Sequence, residues 1–387
     1  MTNDAAVDPR IRGHMPALDG VRGLAILMVL VVHFIGDAEP TTRFEKLLVA
    51  AGGQGVYGVD LFFVLSGFLI TGILVDARTG SHYFRNFYLR RAVRIFPLYY
   101  AVLAVVFFAG GLLPFISSSE LATLRAHQAW AWLYGTNIYD AKEGALSFPY
   151  LDHLWSLAVE EHFYFVWPAV VFFVTPRALV RTSAAIVAAA FLAHVVCRLA
   201  DVNPVAQFVL TPLRLDALVL GGFLSVLARR PGGMAAIERW VKPAAVAAVV
   251  VLVGTYAFNQ VYAGGYAVLR PLRNMLIIGL LAALLVGALT TGASTLMGRV
   301  FRAGWMRFLG KYSYGLYVFH HFISYWFVTH DADCGLFAWV GSHTLAILVR
   351  AVVGSVVSIG IAYASFHLFE KRALALKRLW PSGSASS

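Results

Sequence analysis

The residues able to do chemistry stand inside or beside long apolar stretches. Arg22 and His33 lie eleven residues apart in the first of these. On a helix that is about three turns, with a rotational mismatch of about 20° and a rise of roughly 16 Å. Both therefore line one face, Arg22 near one surface and His33 deep or toward the far side. A histidine in such a place is a candidate base, because it titrates near neutrality; the competing reading is a snorkelling Arg and a satisfied buried His. Asp37 follows one turn later and could orient the ring, although an Asp at a helix end is more often solvated. Asp60 opens Gly58-Val-Asp-Leu-Phe-Phe-Val-Leu-Ser66-Gly. Facing lipid it would be costly, so it faces the bundle or a cavity, or else starts a helix at the interface. In His153-Leu-Trp-Ser-Leu-Ala-Val-Glu-Glu the spacing puts His153, Ser156 and Glu160 on one helix face, a polar stripe expected in the outer half of the membrane. Arg90, Arg91 and Arg94 precede Pro97, and forked guanidiniums at one-turn spacing suit phosphates. Any cytoplasmic juxtamembrane segment is basic, so that pattern is weak by itself. Arg214 and Asp216, His320 and His321, and Glu370 complete the set.

The elements that must hold these groups are membrane helices. Of 387 residues 59% are hydrophobic and only 13% charged, about half the charge of a soluble domain. The apolar residues fall in blocks of about 17 to 25, long enough to cross a bilayer. Such blocks must be helical to satisfy their own backbone, and the alternating pattern of a barrel is absent. The reading is an all-α membrane protein with about ten transmembrane helices, over residues 18–36, 56–75, 95–113, 154–174, 178–198, 208–228, 241–258, 271–291, 312–328 and 344–369. Arginines and lysines collect in alternate loops, and by the positive-inside rule both termini are cytoplasmic. Residues 1–17 are then a cytoplasmic segment, 18–370 the transmembrane domain and 371–387 a cytoplasmic basic, Ser-rich tail, disordered after Trp380. The net charge of +11 thus reports topology first, an anionic cytosolic ligand second, and not nucleic acid. The loop 114–153, rich in aromatic residues, is expected at the outer interface as a short helix plus loop. The first apolar block has no small-residue cleavage site and reads as a retained helix. Cys197 and Cys334 form neither a disulfide framework nor a metal motif. No nucleotide-binding loop, serine elbow, HExxH or clustered metal ligands are visible, so no metal is expected.

Taken together these segments resemble the acyltransferase-3 family of integral-membrane O-acyltransferases. The resemblance rests on Leu18-Asp-Gly-Val-Arg-Gly with its Arg-to-His33 spacing, on the Gly58 segment, on Arg90-Arg-Ala-Val-Arg-Ile-Phe-Pro, and on His153-Leu-Trp-Ser-Leu-Ala-Val-Glu-Glu-His-Phe-Tyr. It ends with Gly310-Lys-Tyr-Ser-Tyr-Gly-Leu-Tyr-Val-Phe-His, which contains Tyr314 and His320. The matches run in order from Leu18 to Glu370. Two features depart from the family: Lys371 and Arg372 stand where relatives often have Pro, and the extracytoplasmic hydrolase-like domain of many relatives is not in this sequence. Acyl transfer would then be completed by the membrane domain or by a partner.

The resemblance implies an acyl-CoA-dependent enzyme of a bacterial-type cytoplasmic membrane, with acyl-CoA, most often acetyl-CoA, as co-substrate and no permanently bound cofactor. Arg90, Arg91 and Arg94 would hold the coenzyme phosphates, and the pantetheine arm would pass Arg22 to bring the thioester to His33. His33 would be the base or a transient acyl carrier. Glu160, with Ser156 and His153, would meet the acceptor from outside, and Asp60, Ser66, Asp216, Tyr314 and His320 would support acceptor or structure. The acceptor expected is a hydroxyl of a carbohydrate, such as a cell-surface or exported polysaccharide, with glycan-assembly partners. A small hydroxylated molecule such as a macrolide antibiotic is the alternative acceptor. A sugar or acyl transporter is a rival of another class, for which no half-to-half repeat is visible.

Overall fold

The computed structural model describes residues 8–261 and 265–380, apart from the side chains of 259–268 and 332–334. Residues 1–7 and the Ser-rich end of the tail, 381–387, lie outside it, as does the Cys334 side chain; Cys197 is a free thiol. The described chain is helical throughout, without strands. In order come α1 (Pro16–Val31), α2 (Arg43–Gly53), α3 (Tyr57–Ala77), α4 (Tyr83–Ala109), α5 (Ser118–Ala126), α6 (Gln128–Trp132), α7 (Thr136–Glu143), α8 (Leu154–Phe173) and α9 (Pro176–Leu199). After these follow α10 (Pro204–Val209), α11 (Thr211–Ala228), α12 (Gly233–Val261), α13 (Gly265–Thr290), α14 (Leu296–Arg302), α15 (Gly304–Thr329), α16 (Ala332–Val340), α17 (His343–Ser365) and α18 (Lys371–Ala375).

Among the described residues eight helices are long and apolar enough to cross a membrane. The expected fourth and ninth spans are also present as helices, α8 with 20 residues and α15 with 26, but their polar side chains keep them below the apolarity of the other eight. Several starts were read too late. α4 begins at Tyr83, so Arg90, Arg91 and Arg94 lie on a helix and not in a loop. Arginine is a good helix former, and Pro97 removes only one backbone bond from a helix of 27 residues. α12 and α13 likewise run through Pro243 and Pro271. The segment 114–153 holds three short helices. In the loop before α3 the sequence reading missed α2, although Thr42-Arg-Phe-Glu45 forms a reciprocal capping box there.

Two apolar cores share the interior. One joins α3, α8, α9, α11 and α13; the other joins α4, α8 and α15 to the outer segment 114–153. α3 lies directly on α11, and α1 on α15. Small residues permit this approach, as expected where lipid supplies no hydrophobic drive between helices. A Cβ on Gly67 would lie 1.7 Å from the Leu218 carbonyl oxygen, and one on Gly221 1.9 Å from that of Val64.

The same interface buries charge. The Asp60 carboxylate accepts from Arg214 Nη1 at 3.1 Å, and Arg214 Nε donates to the Phe208 carbonyl at 2.6 Å. The guanidinium also lies over the Trp155 and Phe208 rings. His194 stands 3.4 Å from Asp216 and bonds the Leu213 carbonyl. At the other end Arg229 forks onto both oxygens of Asp76 at 2.7 and 2.8 Å, there with the carboxylate exposed. Removing one partner of a buried pair leaves the other uncompensated, so Asp60→Ala is expected to cost about 3–5 kcal/mol. Asp60→Leu combined with Arg214→Met should regain most of that loss. Thermal unfolding in detergent checks both, and equal losses would refute charge balance as the cause.

Outside the spans, Asp140 on α7 is buried among apolar side chains, and burial pushes its carboxyl up to about 7. Its Oδ1 accepts from Ser147 N–H at 3.0 Å, while Oδ2 has no partner. The folded state therefore holds a proton that the unfolded chain releases near 4, so stability falls as pH rises between those values. A melting temperature that drops from pH 5 to pH 8, and a flat profile in Asp140→Asn, are the expected results.

Candidate active site

A cavity of about 300 Å³ lies between α1, α3, α4, α8 and α15. α1 contributes Arg22, α3 Ser66, α4 Arg91 and Arg94, α8 Ser156, Glu160 and Tyr164, and α15 Tyr314 and Tyr317. Lys377, from the turn after α18, also lines it. Asp19 Oδ1 stands 3.4 Å from Arg22, and Arg91 lies 6.0 Å over the Tyr164 ring. The Ser66 and Tyr164 hydroxyls bond each other and both interact with Glu160. Tyr314 donates to the Ile95 carbonyl at 2.7 Å, which ties α15 to α4 beside the arginines. Four cations and a single lining carboxylate make this a positive chamber, suited to phosphate groups.

A second constellation is made of imidazoles. At its C-terminal end α1 widens into a π-turn, Val32–Gly36, which carries His33; π-turns interrupt α-helices frequently at functional sites. His33 Nδ1 meets Asp37 Oδ2 at 2.9 Å, so Asp37, although half-exposed, holds the ring and leaves Nε2 for another partner. The His33 ring is 5.0 Å from that of His320 and 5.1 Å from that of His321. His153 is 5.5 and 4.9 Å from the same two. His320 Nδ1 faces the Leu316 and Tyr317 carbonyls at 3.1 and 2.7 Å, which makes it the donor and leaves a buried Nε2 without a partner. The buried His153 ring meets the Val318 backbone from α15. His321 Nε2 lies 4.0 Å from Asp152.

The sequence reading found no clustered ligands, and here the fold corrects it: one nitrogen from each of His33, His320 and His321 lies within 4.8 Å of the others. That spacing suits a shared proton, a cation or a polar substrate group. The cluster could not be seen in the sequence because α1 and α15 meet only after folding.

Tyr317 is the wall between the two constellations. It lines the cavity, its ring is 5.5 Å from both His153 and His320, and its hydroxyl bonds the Ser156 hydroxyl and the His153 carbonyl. The expected site residues are thus divided. Arg22, Ser66, Arg91, Arg94, Ser156, Glu160 and Tyr314 share the cavity, whereas His33, His153 and His320 share the imidazole cluster. Ser156 and Glu160 therefore face the same chamber as the arginines, and only His153 of the expected stripe belongs with His33. Arg90 is outside the cavity lining and donates to the Trp380 carbonyl at 2.7 Å. Asp60 and Asp216 belong to the charge pairs between helices described above. Sequence reasoning missed Lys377, counted only as a topological charge, and also Tyr164 and Tyr317; it named His321 as a candidate but gave it no role. Tyr164 stands one turn after Glu160, a spacing that could have revealed it.

An arginine-lined chamber and a histidine cluster are thus enclosed by long apolar helices, as in a multi-pass membrane protein. Residues 15–367 match the family described as an acyltransferase domain, and the chain belongs to this acyltransferase-3 family. Peptidoglycan O-acetyltransferase OatA of Listeria monocytogenes is 26% identical over 322 residues, 80% of this chain and 49% of that protein. The provisionally named peptidoglycan O-acetyltransferase YrhL of Bacillus subtilis is 30% identical over 336 residues, 80% of this chain and 48% of its own. The chain spans about half the length of these curated relatives. No solved structure matches it.

Tyr317→Phe keeps the ring and removes the hydroxyl. Its loss from two buried partners is expected to lower stability by about 1 kcal/mol. Differential scanning fluorimetry in detergent would read it, and an unchanged melting temperature would show that the septum is held by packing alone.

Proposed function

We propose that the protein is a membrane O-acyltransferase that moves an acyl group, most simply acetyl, from cytosolic acyl-CoA to a hydroxyl of a cell-surface or exported carbohydrate. The observation that carries the reading is the juxtaposition, across Tyr317, of a cation-lined chamber and a carboxylate-held histidine. The membrane topology belonging to it has ten spans, α8 and α15 among them, with both termini in the cytoplasm and the cytoplasmic membrane as its location. The names of the OatA and YrhL relatives support a glycan acceptor.

In this mechanism Arg91 and Arg94 pair with coenzyme phosphates, and Arg22 steadies the arm that leads inward. His33 Nε2 takes the proton of the acceptor hydroxyl while Asp37 holds Nδ1–H and stabilises the imidazolium. The acceptor oxygen bonds to the thioester carbonyl carbon, the carbon–sulfur bond breaks, and the coenzyme thiolate recovers the proton from His33. Glu160, bracketed by Ser66 and Tyr164, orients the groups that meet at Tyr317.

Loss of a general base costs about 10²–10⁴-fold in rate. His33→Ala should therefore lose at least a hundredfold of acetyl transfer, with an unchanged melting temperature and unchanged donor binding. Membranes given acetyl-labelled acetyl-CoA and a hydroxylated glycan provide the assay. Full activity in His33→Ala would remove its role, and transport of label without an acylated product from the native protein would sink the enzyme reading altogether.

A further inference from the structure

The sequence marked the basic residues after the last long helix as a topological signal, yet the chain turns back on itself there. α18 and the turn that follows pack against α4. The Trp380 carbonyl accepts from Arg90, one turn before Arg94, and between these contacts the Lys377 side chain enters the chamber beside Arg22, Arg91 and Arg94. Among the described residues, Arg91, Arg94 and Lys377 have no carboxylate at ion-pair distance, and Arg22 has only Asp19. Lys377 is crowded by Arg94, Arg91, Arg90 and Arg22. Like charges gathered between helices repel strongly at low dielectric, so the segment is poised to gain from an anion with several charges.

We infer that residues 371–380 form a strap over the mouth of the chamber, and that Lys377 is a binding residue for a polyphosphate-bearing ligand. The strap is anchored by the backbone contact to Arg90, and its lysine adds a movable point charge to the fixed forks of Arg91 and Arg94. With the acyl-CoA donor proposed above, on which the identity of the ligand rests, Lys377 pairs with coenzyme phosphate and keeps the arm directed inward. Chemistry beyond Tyr317 does not involve it.

The test uses the full chain in lipid nanodiscs and measures calorimetric binding of coenzyme A and of inorganic pyrophosphate. Lys377→Gln is expected to weaken both by about tenfold to a hundredfold, the loss of one charge-assisted contact, and Lys377→Arg to restore most of it. Because it relieves repulsion, Lys377→Gln should melt no lower than the native protein without ligand; a purely structural lysine would give a lower melting point. Native affinity of Lys377→Gln for both probes overturns the strap and leaves the donor reading standing. Lysine-dependent binding of pyrophosphate without binding of coenzyme A upholds the strap and refutes the donor. Binding of neither probe by the native protein refutes the strap as well.

Discussion

Charge between helices is the constraint on which the rest of the structure depends. An ion out of water must be paired, hydrogen-bonded or given a ligand, because its desolvation is otherwise uncompensated. Asp60 with Arg214 meets that requirement internally, and with the solvent-exposed Asp76 on Arg229 at the other end it ties α3 to α11. The backbones come close because Gly67 and Gly221 allow it. α3, held in this way, forms one wall of the chamber, and Ser66, one residue before Gly67, is presented from it.

On the opposite side the requirement is not met internally. Arg22, Arg91, Arg94 and Lys377 converge on a space with Glu160 as its lining carboxylate. Aromatic hydroxyls hold the surrounding helices in place: Tyr314 binds α15 to α4, and Tyr317 joins α15 to α8. Positive charge in excess and a preformed space are the features of a site whose partner arrives from outside. The histidine cluster has a similar incompleteness of a different kind, since the buried Nε2 of His320 has no hydrogen-bond partner among the described residues. One constellation calls for an anion and the other for a proton or a polar group, and they share a single residue layer.

Much of this was legible along the chain. The apolar blocks gave the helices because lipid forces backbone bonding within each segment, and most boundaries fell within a few residues. The late starts of α4 and α15 have a common cause: polar residues at a helix end look like a loop to a hydropathy argument, although the backbone continues undisturbed. The three- and four-residue spacing also placed Ser156 beside Glu160 correctly. It misled for the stripe as a whole, because His153 caps α8 where the helix starts and so faces the imidazoles, not the chamber.

By itself, the sequence determined an all-helical membrane chain, the set of ionisable residues at depth, and membership of a family through motifs spread from Leu18 to Glu370. Periodicity and composition are local properties, so these could be read one segment at a time. Only the tertiary structure decided which charges became pairs and which became a site. Asp60 and Arg94 looked equally open to functional use, but Asp60 found a guanidinium on a distant helix, whereas Arg94 has no carboxylate at ion-pair distance among the described residues. The meeting of His33 with His320 and His321, the wall at Tyr317 and the return of Lys377 to the chamber all arise from contacts between segments far apart in the chain, where no local pattern carries the information.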